Sequence, residues 1–387
     1  MRIGMMADTY KPYISGVTNC ISLSKQMLNE QGHQAVVFTL GHTGYSDSET
    51  DVVRSPALPL LNTGFSIGFN YSPSARDRLR TMDLIHVHHP FLSGRLALRY
   101  CHGYNTPIIF TNHTRYDLYA QAYMPFIPAG LSRFYVSRTL ARFCAACDLV
   151  IAPSAGLKKV LRSFGVQSDI EVIPNGVDLT PHRSVQGSRH RSEFGLLGSD
   201  LLLIYLGRIG PEKNLDFLLR AFALAQSRVS NLKLLVVGGG PRLAWARAEV
   251  KGRGLESVAR VAGPVSYADV PEVLALADIF ATASTTEVHP LSLIEALASG
   301  LPAIGIASPG IEDTIVNGQN GFLCSYNEHE FADRIVRLSA DAELRHRMAQ
   351  EARCSAERYD VRRTVAATLK HYERLIEQRR RRQPLPG

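Results

Sequence analysis

The chain of 387 residues lacks any apolar run of about 18 residues, so the sequence predicts no segment that spans a membrane. The apolar start, Met1 to Ala7, is too short for a signal peptide and predicts a first β-strand instead. Cysteine is sparse, and its six positions (20, 101, 144, 147, 324 and 354) are scattered along the chain. Scattered cysteines suit a reducing compartment, and we therefore expect a cytoplasmic protein.

One cysteine pair, Cys144 and Cys147, has redox spacing, but no second cysteine pair exists that would complete a zinc site. Cys147 also shares one helical stripe with Val136, Leu140 and Phe143, which indicates a core position. We interpret the pair as structural and expect no metal.

The three spaced glycines of dinucleotide-binding proteins are also missing, which disfavours a nicotinamide enzyme, and we expect no cofactor. The sequence has no nucleic-acid-binding motif either. What it does have is a net charge of +8, which implies an acidic partner such as nucleotide phosphates, an anionic membrane surface or nucleic acid. The 45% apolar and 20% charged residues are typical of globular proteins, and the length favours two domains.

The stretch from Thr285 to Gly305 follows a short apolar strand at 277–282 and predicts a helix. Pro290 suits the first helical position, and Gly300 ends the helix just after Ser299. Free N–H groups near His289 and Leu291 then gather at a helix N-terminus, which favours an anion such as a phosphate.

Two glutamates, Glu287 and Glu295, flank this helix start. An eight-residue step leaves two helical side chains about 80° apart, so both can point toward one cleft. A carboxylate only accepts hydrogen bonds and suits a pair of sugar hydroxyls, so a phosphate between two such sites describes a sugar nucleotide. The ordinary alternative is an amphipathic helix with two solvated carboxylates.

Glu287 and Glu295, followed by Ala-Leu-Ala-Ser-Gly-Leu-Pro, resemble the signature of retaining family 4 glycosyltransferases. The resemblance covers nearly the whole chain and implies an α/β fold of two Rossmann-like domains that face each other across a cleft, the GT-B fold. We expect an acceptor-binding domain at 1–180, a linker at 181–199 and a donor-binding domain at 200–360. A helix at 361–387 would cross back to the first domain and end in a solvated basic tail, at 379–382.

Two cations follow another strand end, Arg208 directly and Lys213 five residues on. Such a pair can neutralise a leaving diphosphate in place of a divalent metal, although solvated surface cations are the ordinary alternative. The family's diphosphate-binding Arg and Lys match these positions, and its Gly-rich turn resembles residues 238–241. By the resemblance, the donor-binding set is Gly16, Arg208, Lys213, Val265, His289, Pro290, Leu291 and Glu295. We expect the first helix of the chain to begin near Asn19 or Ser22.

Histidines end two strands of the first domain. Alternation places His86 and His88 on one face and His89 on the other, which spoils a metal site and leaves an acceptor-side role. His113 lies in a segment that resembles bacterial diacylglycerol glucosyltransferases, and the family's matching histidine contacts the donor sugar. The resemblance therefore assigns His113 and Glu287 to the catalytic centre. The predicted acceptor set is Asp8, Tyr10, His88, His89 and Tyr116.

Two segments suggest a membrane surface. Residues 59–73 predict an apolar loop for an acyl chain or, alternatively, a loop packed on the core. A helix over 131–147 would place Tyr135, Arg138 and Arg142 outward, toward anionic headgroups or simply solvent. The apolar loop would display Leu60, Leu61, Phe65, Ile67, Phe69 and Tyr71.

The resemblance implies a retaining, metal-independent transfer of glucose from UDP-glucose to diacylglycerol, by a protein peripheral to the inner face of the cell membrane. Val288-His289-Pro290 replaces the family's usual aromatic-Gly, and Ser15 replaces its Gly or Asn, so the sugar stays open. The alternatives are a GDP-mannose-dependent mannosyltransferase acting on a phosphoinositide or soluble acceptor, a nucleotide-sugar epimerase of the same fold, and a non-catalytic lipid-surface protein.

Overall fold

A computed structural model describes residues 1–60, 65–68, 70–101, 105–124, 126–185, 187 and 189–382. The chain divides into two compact units. Unit 1 comprises residues 1–117, 128–176 and the chain from 361 onward, and unit 2 comprises residues 118–127 and 177–360. The short segment 118–127 therefore belongs with the second half of the chain, a grouping that the expected boundaries do not contain.

Unit 1 is built on a parallel sheet. Its strands are β1 (Arg2–Met6), β2 (Gln34–Leu40), β3 (Val52–Ser55), β6 (Leu84–Val87), β7 (Ile108–Thr111), β8 (Leu149–Ala152) and β9 (Ile170–Val172). They pair in the order β3-β2-β1-β6-β7-β8-β9. A separate antiparallel pair is formed by β4 (Leu58–Leu60) and β5 (Phe65–Ile67). The central strands are buried along their whole length, as expected for a parallel sheet covered on both faces.

The helices of unit 1 are α1 (Gly16–Glu30), α2 (Pro73–Arg80), α3 (Leu92–Cys101), α5 (Ala129–Ala145), α6 (Ala155–Ser163) and α15 (Val361–Arg382), and α4 (Tyr116–Tyr123) begins in unit 1 but lies mostly in unit 2. The first helix begins at Gly16, earlier than predicted, because the Ser15 hydroxyl accepts a hydrogen bond from the Thr18 N–H at 3.2 Å. Gly16 thus lies in the first turn of α1 and not in a loop before it.

The last helix, α15, belongs to unit 1, where Tyr372, Leu375 and Ile376 are buried in the core. The arginine run at 379–382 is helical and not a free tail. Arg379 donates a hydrogen bond from Nη2 to Asp148 Oδ1 at 2.6 Å, and its side chain is only 31% exposed. The prediction of a solvated tail is therefore wrong at its first residue.

Unit 2 holds a second parallel sheet. Its strands are β10 (Leu201–Leu206), β11 (Leu232–Val237), β12 (Ala259–Gly263), β13 (Ile279–Thr282), β14 (Ala303–Ile306) and β15 (Gly321–Cys324). They pair in the order β12-β11-β10-β13-β14-β15. In both sheets the chain order reverses once, between β1 and β6 and between β10 and β13. Ligands of such folds bind beyond the carboxyl ends of the strands at that reversal.

The helices of unit 2 are α7 (Thr180–Arg183), α8 (Leu215–Gln226), α9 (Leu243–Gly252), α10 (Val270–Ala275), α11 (Leu291–Ala298), α12 (Pro309–Glu312), α13 (Glu328–Ala340) and α14 (Ala342–Ala356). Asn327 caps α13 by accepting from the His329 and Glu330 N–H groups. The segment 181–199, expected as a linker, is instead attached to unit 2, where Arg191 pairs with Asp278 at 2.9 Å.

The two segments assigned to a membrane surface have different outcomes. The α5 helix buries Val136, Leu140 and Phe143, as the stripe predicts. In the apolar loop, Tyr71 is only 2% exposed and belongs to the core, so its predicted display is wrong. The backbone of the loop pairs as β4 and β5, whereas Leu61 and Phe69 and the side chains of Leu60, Phe65 and Ile67 lie outside the described residues. Of the helices described, none is long and apolar enough to cross a bilayer.

Candidate active site

The ends of β10 and β11 form a tight junction of glycines in unit 2. Gly207 follows β10, and Gly238 follows β11 with a φ of +143°. A Cβ at Gly238 would lie 1.8 Å from the Gly207 carbonyl oxygen, so only glycine fits. A Cβ built on Gly207 would in turn lie 4.0 Å from the Ser292 hydroxyl in the first turn of α11. The loop that carries Arg208 therefore approaches the start of α11.

Lys213 and Glu287 form an ion pair beside this junction. Lys213 Nζ lies 2.6 Å from Glu287 Oε1, with side-chain exposures of 20% and 13%. A short 3-10 turn at Pro211–Lys213 holds the lysine. The backbone oxygen of Glu287 accepts a hydrogen bond from the Gly310 N–H of α12, which fixes the loop that carries the glutamate. A cation and an anion thus face the same half-buried spot.

Arg208 lies on the same loop as Lys213. The Tyr205 hydroxyl donates to the Arg208 backbone oxygen at 2.8 Å, which holds the loop against the end of β10. The Arg208 guanidinium stands 5.7 Å from the centre of the Tyr123 ring, a cation–π distance. Burial raises the pKa of Tyr205, and the charges of Glu287 and Glu212 raise it further. The carboxylates of Glu287 and Glu212 therefore both lie close enough to the buried Tyr205 hydroxyl to raise its pKa.

Glu212 is a site residue that the sequence analysis missed. It is only 3% exposed and accepts hydrogen bonds from the Tyr119 hydroxyl at 3.3 Å and the Tyr123 hydroxyl at 2.9 Å. A Cβ at Gly210 would lie 2.2 Å from Glu212 Oε2, so the glycine makes room for the carboxylate. In the sequence, Glu212 is an acidic residue between the two predicted diphosphate ligands Arg208 and Lys213. Local sequence does not indicate that its hydrogen-bond partners lie some 90 residues earlier.

Helix α11 begins one residue later than predicted. Pro290 is its N-cap and not its first helical residue, with a φ of −75° and a ψ of 121°. No side chain caps the first turn, so the backbone N–H groups from Leu291 onward stay available to an anion. Gly300, with a φ of +80°, ends the helix as predicted.

Glu295 lies inside α11 and is 4% exposed. Burial raises its pKa from 4.5 to about 7, and a hydrogen bond with Tyr267 partly opposes that shift. Tyr267 follows the turn that contains Val265, so this predicted base contact lies near the carboxylate. Near neutral pH the carboxyl is therefore only partly ionised, and a ligand that donates hydrogen bonds to it would favour its ionised form.

The His289 side chain is buried just before the start of α11. It is 4% exposed, and its ring packs edge-on against Tyr359 at 4.9 Å. Burial and the charge of Arg358 lower its pKa to about 3, so the imidazole is neutral. The ring thus packs inside unit 2, and the donor contact assigned to His289 stays a prediction.

In unit 1, three histidines stack near the ends of β6 and β7: His86 lies within β6, whereas His88 and His113 follow β6 and β7. His88 Nδ1 and His113 Nε2 are in hydrogen-bond contact at 3.0 Å, and the His86 and His88 ring centres are 4.2 Å apart. His86 contacts the Tyr372 hydroxyl at 2.5 Å and the Thr111 hydroxyl at 2.7 Å, which occupies both of its nitrogens. Burial lowers the pKa of His86 and of His113 to about 3, so the stack is uncharged.

The remaining predicted acceptor residues divide into buried and accessible ones. Tyr10 is 1% exposed and donates to Glu49 Oε2 at 2.9 Å, so its hydroxyl already has a partner in the protein, and its acceptor contact stays a prediction. Asp8 accepts from the Ser93 N–H at 2.6 Å and donates its own N–H to His89 Nδ1 at 3.2 Å. The Asp8 side chain thus joins the segment after β1 to α3, and the His89 side chain joins the segments after β1 and β6. Tyr116 remains half-buried, against Phe91.

One hollow in unit 2 lies away from these residues. It has a volume of about 690 Å³ and opens at the other end of α11, beside Ala298, Gly300 and Pro302. Arg183 and Glu357 pair on its wall, and Arg353 packs over Gly300. Cations at a helix C-terminus are explained by the helix dipole, so we place the candidate site at the opposite end of α11.

The structure thus brings Arg208, Lys213, Glu287 and Glu295 to one end of the unit 2 sheet, around the start of α11. It brings His88 and His113 together at the corresponding end of the unit 1 sheet. The contacts assigned to these residues with donor and acceptor stay predictions.

The two cysteines with redox spacing are buried, and burial raises the pKa of Cys144 to about 12, which is typical of inert thiols.

Comparison with known proteins identifies this arrangement. Residues 14–181 match the family model "Glycosyltransferase Family 4", and residues 188–354 match "Glycosyl transferases group 1". The alpha-monoglucosyldiacylglycerol synthase of Streptococcus pneumoniae is 30% identical over 87% of this chain and 78% of its own length. The enzyme of the same name from Acholeplasma laidlawii is 25% identical over 93% of both chains.

Another relative is named for a different donor, and a solved structure shares the fold. A GDP-mannose-dependent alpha-mannosyltransferase of Corynebacterium glutamicum is 26% identical over 84% of this chain and 76% of its own length. Among solved structures, Anabaena HepE in complex with UDP and glucose superposes with a TM-score of 0.77 at 20% identity, over 97% of this chain and 100% of that one. Two doubly wound units, the GT-B neighbours and the family matches agree: the chain is an α/β protein of GT-B fold and a member of glycosyltransferase family 4.

Proposed function

We propose that this glycosyltransferase moves glucose from UDP-glucose to the hydroxyl of diacylglycerol, with retention at the anomeric carbon and without a metal. Two relatives, 30% and 25% identical to this chain, are named alpha-monoglucosyldiacylglycerol synthases. The protein would then work at the inner face of the cell membrane as a peripheral protein. The UDP donor is further supported by a structural neighbour that holds UDP and glucose.

The observation that carries this proposal is the Lys213–Glu287 ion pair at the uncapped start of α11. In a sugar nucleotide, one oxygen joins the anomeric carbon to the diphosphate, so groups that serve the sugar and the phosphate must be neighbours. A lysine and a glutamate 2.6 Å apart satisfy that requirement. Lys213 would hold the phosphate, and Glu287 would hold sugar hydroxyls.

The other predicted site residues bind the diphosphate, the ribose and the reacting face of the sugar. Arg208 and the N–H groups at the start of α11 stabilise the charge that grows on the departing diphosphate, the role of preorganised donors in transfer reactions. Glu295 accepts from the two ribose hydroxyls and becomes fully ionised as it does so. The neutral His113, held by His88, orders the reacting face of the sugar.

The reaction is a front-face displacement. The bond between the anomeric carbon and the diphosphate oxygen breaks, and the bond to the acceptor oxygen forms on the same face. The acceptor proton passes to the leaving phosphate, so no protein nucleophile is required. Isolation of a covalent glycosyl–enzyme adduct would contradict this mechanism.

The decisive experiment incubates the protein with a panel of sugar nucleotides, with and without diacylglycerol, and weighs the products by mass spectrometry. We expect UDP-glucose to add one hexose to diacylglycerol, in a reaction that a metal chelator does not inhibit. Lys213→Met should lower kcat by about 100-fold, the usual effect of removing one such stabilising group. Transfer of mannose from GDP-mannose would favour the second candidate, which one relative supports. A new sugar nucleotide formed without acceptor would indicate an epimerase.

A further inference from the structure

One face of α5 is exposed, apolar at one end and cationic at the other. We call it the α5 outer stripe. It consists of Leu131, Phe134, Tyr135, Arg138 and Arg142. Steps of three and four residues place these five side chains within an arc of about 100° on the helix. The opposite face of the helix, with Val136, Leu140 and Phe143, is buried in unit 1.

The apolar end of the stripe is unusually open to solvent. Leu131 and Phe134 are each 60% exposed, and Tyr135 is 67% exposed. Single exposed apolar residues are normal, but a contiguous group marks a surface that binds something apolar. The three side chains project from a convex helix, so the surface suits a soft apolar layer rather than a rigid ligand.

The positive charge of α5 indicates that its partner is anionic. From Ala129 to Ala145 the sequence contains three arginines and no acidic residue. Arg133 lies on another face, over the Phe164 ring at 5.8 Å. Within the described part of the chain, Arg138 and Arg142 form neither an ion pair nor a side-chain hydrogen bond. Two unpaired cations next to an apolar patch complement a surface that is anionic outside and apolar beneath.

We propose that the α5 outer stripe docks this protein on an anionic lipid bilayer. Leu131, Phe134 and Tyr135 enter the boundary between headgroups and acyl chains. Arg138 and Arg142 lay their stems along that boundary and contact lipid phosphates. The inference rests on the proposed function in one respect, because an enzyme with a diacylglycerol acceptor must reach the bilayer. It adds the surface that does so and the charge of the lipids that it selects.

The experiment is flotation of the full chain with vesicles of phosphatidylcholine alone and of phosphatidylcholine with phosphatidylglycerol. We expect binding only to the anionic vesicles, weakening as salt rises. Arg138→Gln with Arg142→Gln should weaken binding about 30-fold, since each cation near such a surface is worth about fivefold. Phe134→Ser with Tyr135→Ser should weaken it at least about tenfold, even in low salt.

Matched control variants lie on other surfaces. Leu197→Ser removes an apolar side chain that is 67% exposed in unit 2, and Lys159→Gln with Lys251→Gln removes two cations from exposed positions. These variants should float like the wild type. If the wild type does not float, or if the stripe variants float as it does, the proposal is overturned. A stripe that mediates self-association would change sedimentation but not flotation, which also overturns it.

Activity separates this proposal from the proposed function. On diacylglycerol dissolved in detergent, the stripe variants should turn over as fast as the wild type, and on vesicles they should be slower in proportion to their lost binding. If the stripe controls flotation but no glucosylation is seen under any condition, docking stands and the proposed function falls. If glucosylation occurs but the stripe variants float like the wild type, the proposed function stands and the docking proposal falls.

Discussion

Replacing Glu295 with glutamine should stabilise the unliganded protein in a manner that depends on pH. The folded state raises the pKa of this buried carboxyl from 4.5 to about 7. One pKa unit is worth about 1.4 kcal/mol, so ionising Glu295 costs the folded state about 3 kcal/mol. A neutral amide of the same shape does not carry that cost.

The sign follows from proton binding. Below pH 4.5 the carboxyl is protonated in both the folded and the unfolded chain, and the substitution should be nearly neutral. Between pH 4.5 and about 7 the unfolded chain loses this proton while the folded chain keeps it, so the wild type loses stability as the pH rises. Above pH 7 the cost is complete, and Glu295→Gln should be more stable by about 3 kcal/mol, or roughly 6–12 °C in the unfolding of unit 2.

The measurement is the difference in Tm between Glu295→Gln and the wild type, taken by calorimetry from pH 4.5 to 8.5. Glu351→Gln, at an exposed position of α14, is the matched control and should show no trend. UDP affinity offers a second readout, because in the proposed function the ionised Glu295 carboxylate accepts hydrogen bonds from the ribose hydroxyls. It should fall with acidification below pH 7 in the wild type and not in the variant. A Tm difference that is flat or of opposite sign would refute the reasoning.

The remaining predictions concern single contacts. Gly238→Ala should destabilise unit 2 by more than about 3 kcal/mol in denaturant unfolding, because its Cβ would strike the Gly207 carbonyl, whereas Gly252→Ala in α9 meets open space and should be neutral or stabilising. If Gly238→Ala lowers the free energy of unfolding by less than about 1 kcal/mol, the close approach of Gly238 to the Gly207 carbonyl is contradicted. His88→Leu should lower kcat more than KM rises, since it removes the hydrogen bond to His113, and an unchanged kcat would show that the stack is dispensable. Of the six thiols, only Cys354 is exposed and should react with a thiol reagent in the native protein; rapid modification of a second one would contradict the burial.

Much of the candidate site follows from local pattern. Gly300 ends α11 because a left-handed residue is needed there, and Asn327 caps α13 because its side chain can reach two free N–H groups. The pairing of Lys213 with Glu287 was within reach of the sequence too, since both follow strand ends of a parallel sheet, at 206 and 282, and such ends meet at one edge. The starts of α1 and α11 were each misplaced, by a few residues and by one, because several residues near each start could serve as the cap.

The sequence could not show what surrounds a residue once it is buried. In the sequence, Glu212 is one charged residue of a loop. Its hydrogen-bond partners, Tyr119 and Tyr123, lie some 90 residues earlier and are identified only by the structure. Tyr10 and His289 sit in functional-looking motifs, yet tertiary packing turns one toward Glu49 and the other onto Tyr359. Periodicity reports which face of an element is apolar, but not which distant groups cover its polar residues.

By itself, the sequence determined the two doubly wound sheets and the edges at which their functional residues gather, because apolar runs and capping residues act over a few positions. Only the tertiary structure decided the ionisation of those residues. Glu295 holds its proton near neutrality and the histidine stack stays uncharged because desolvation depends on every group that packs around them.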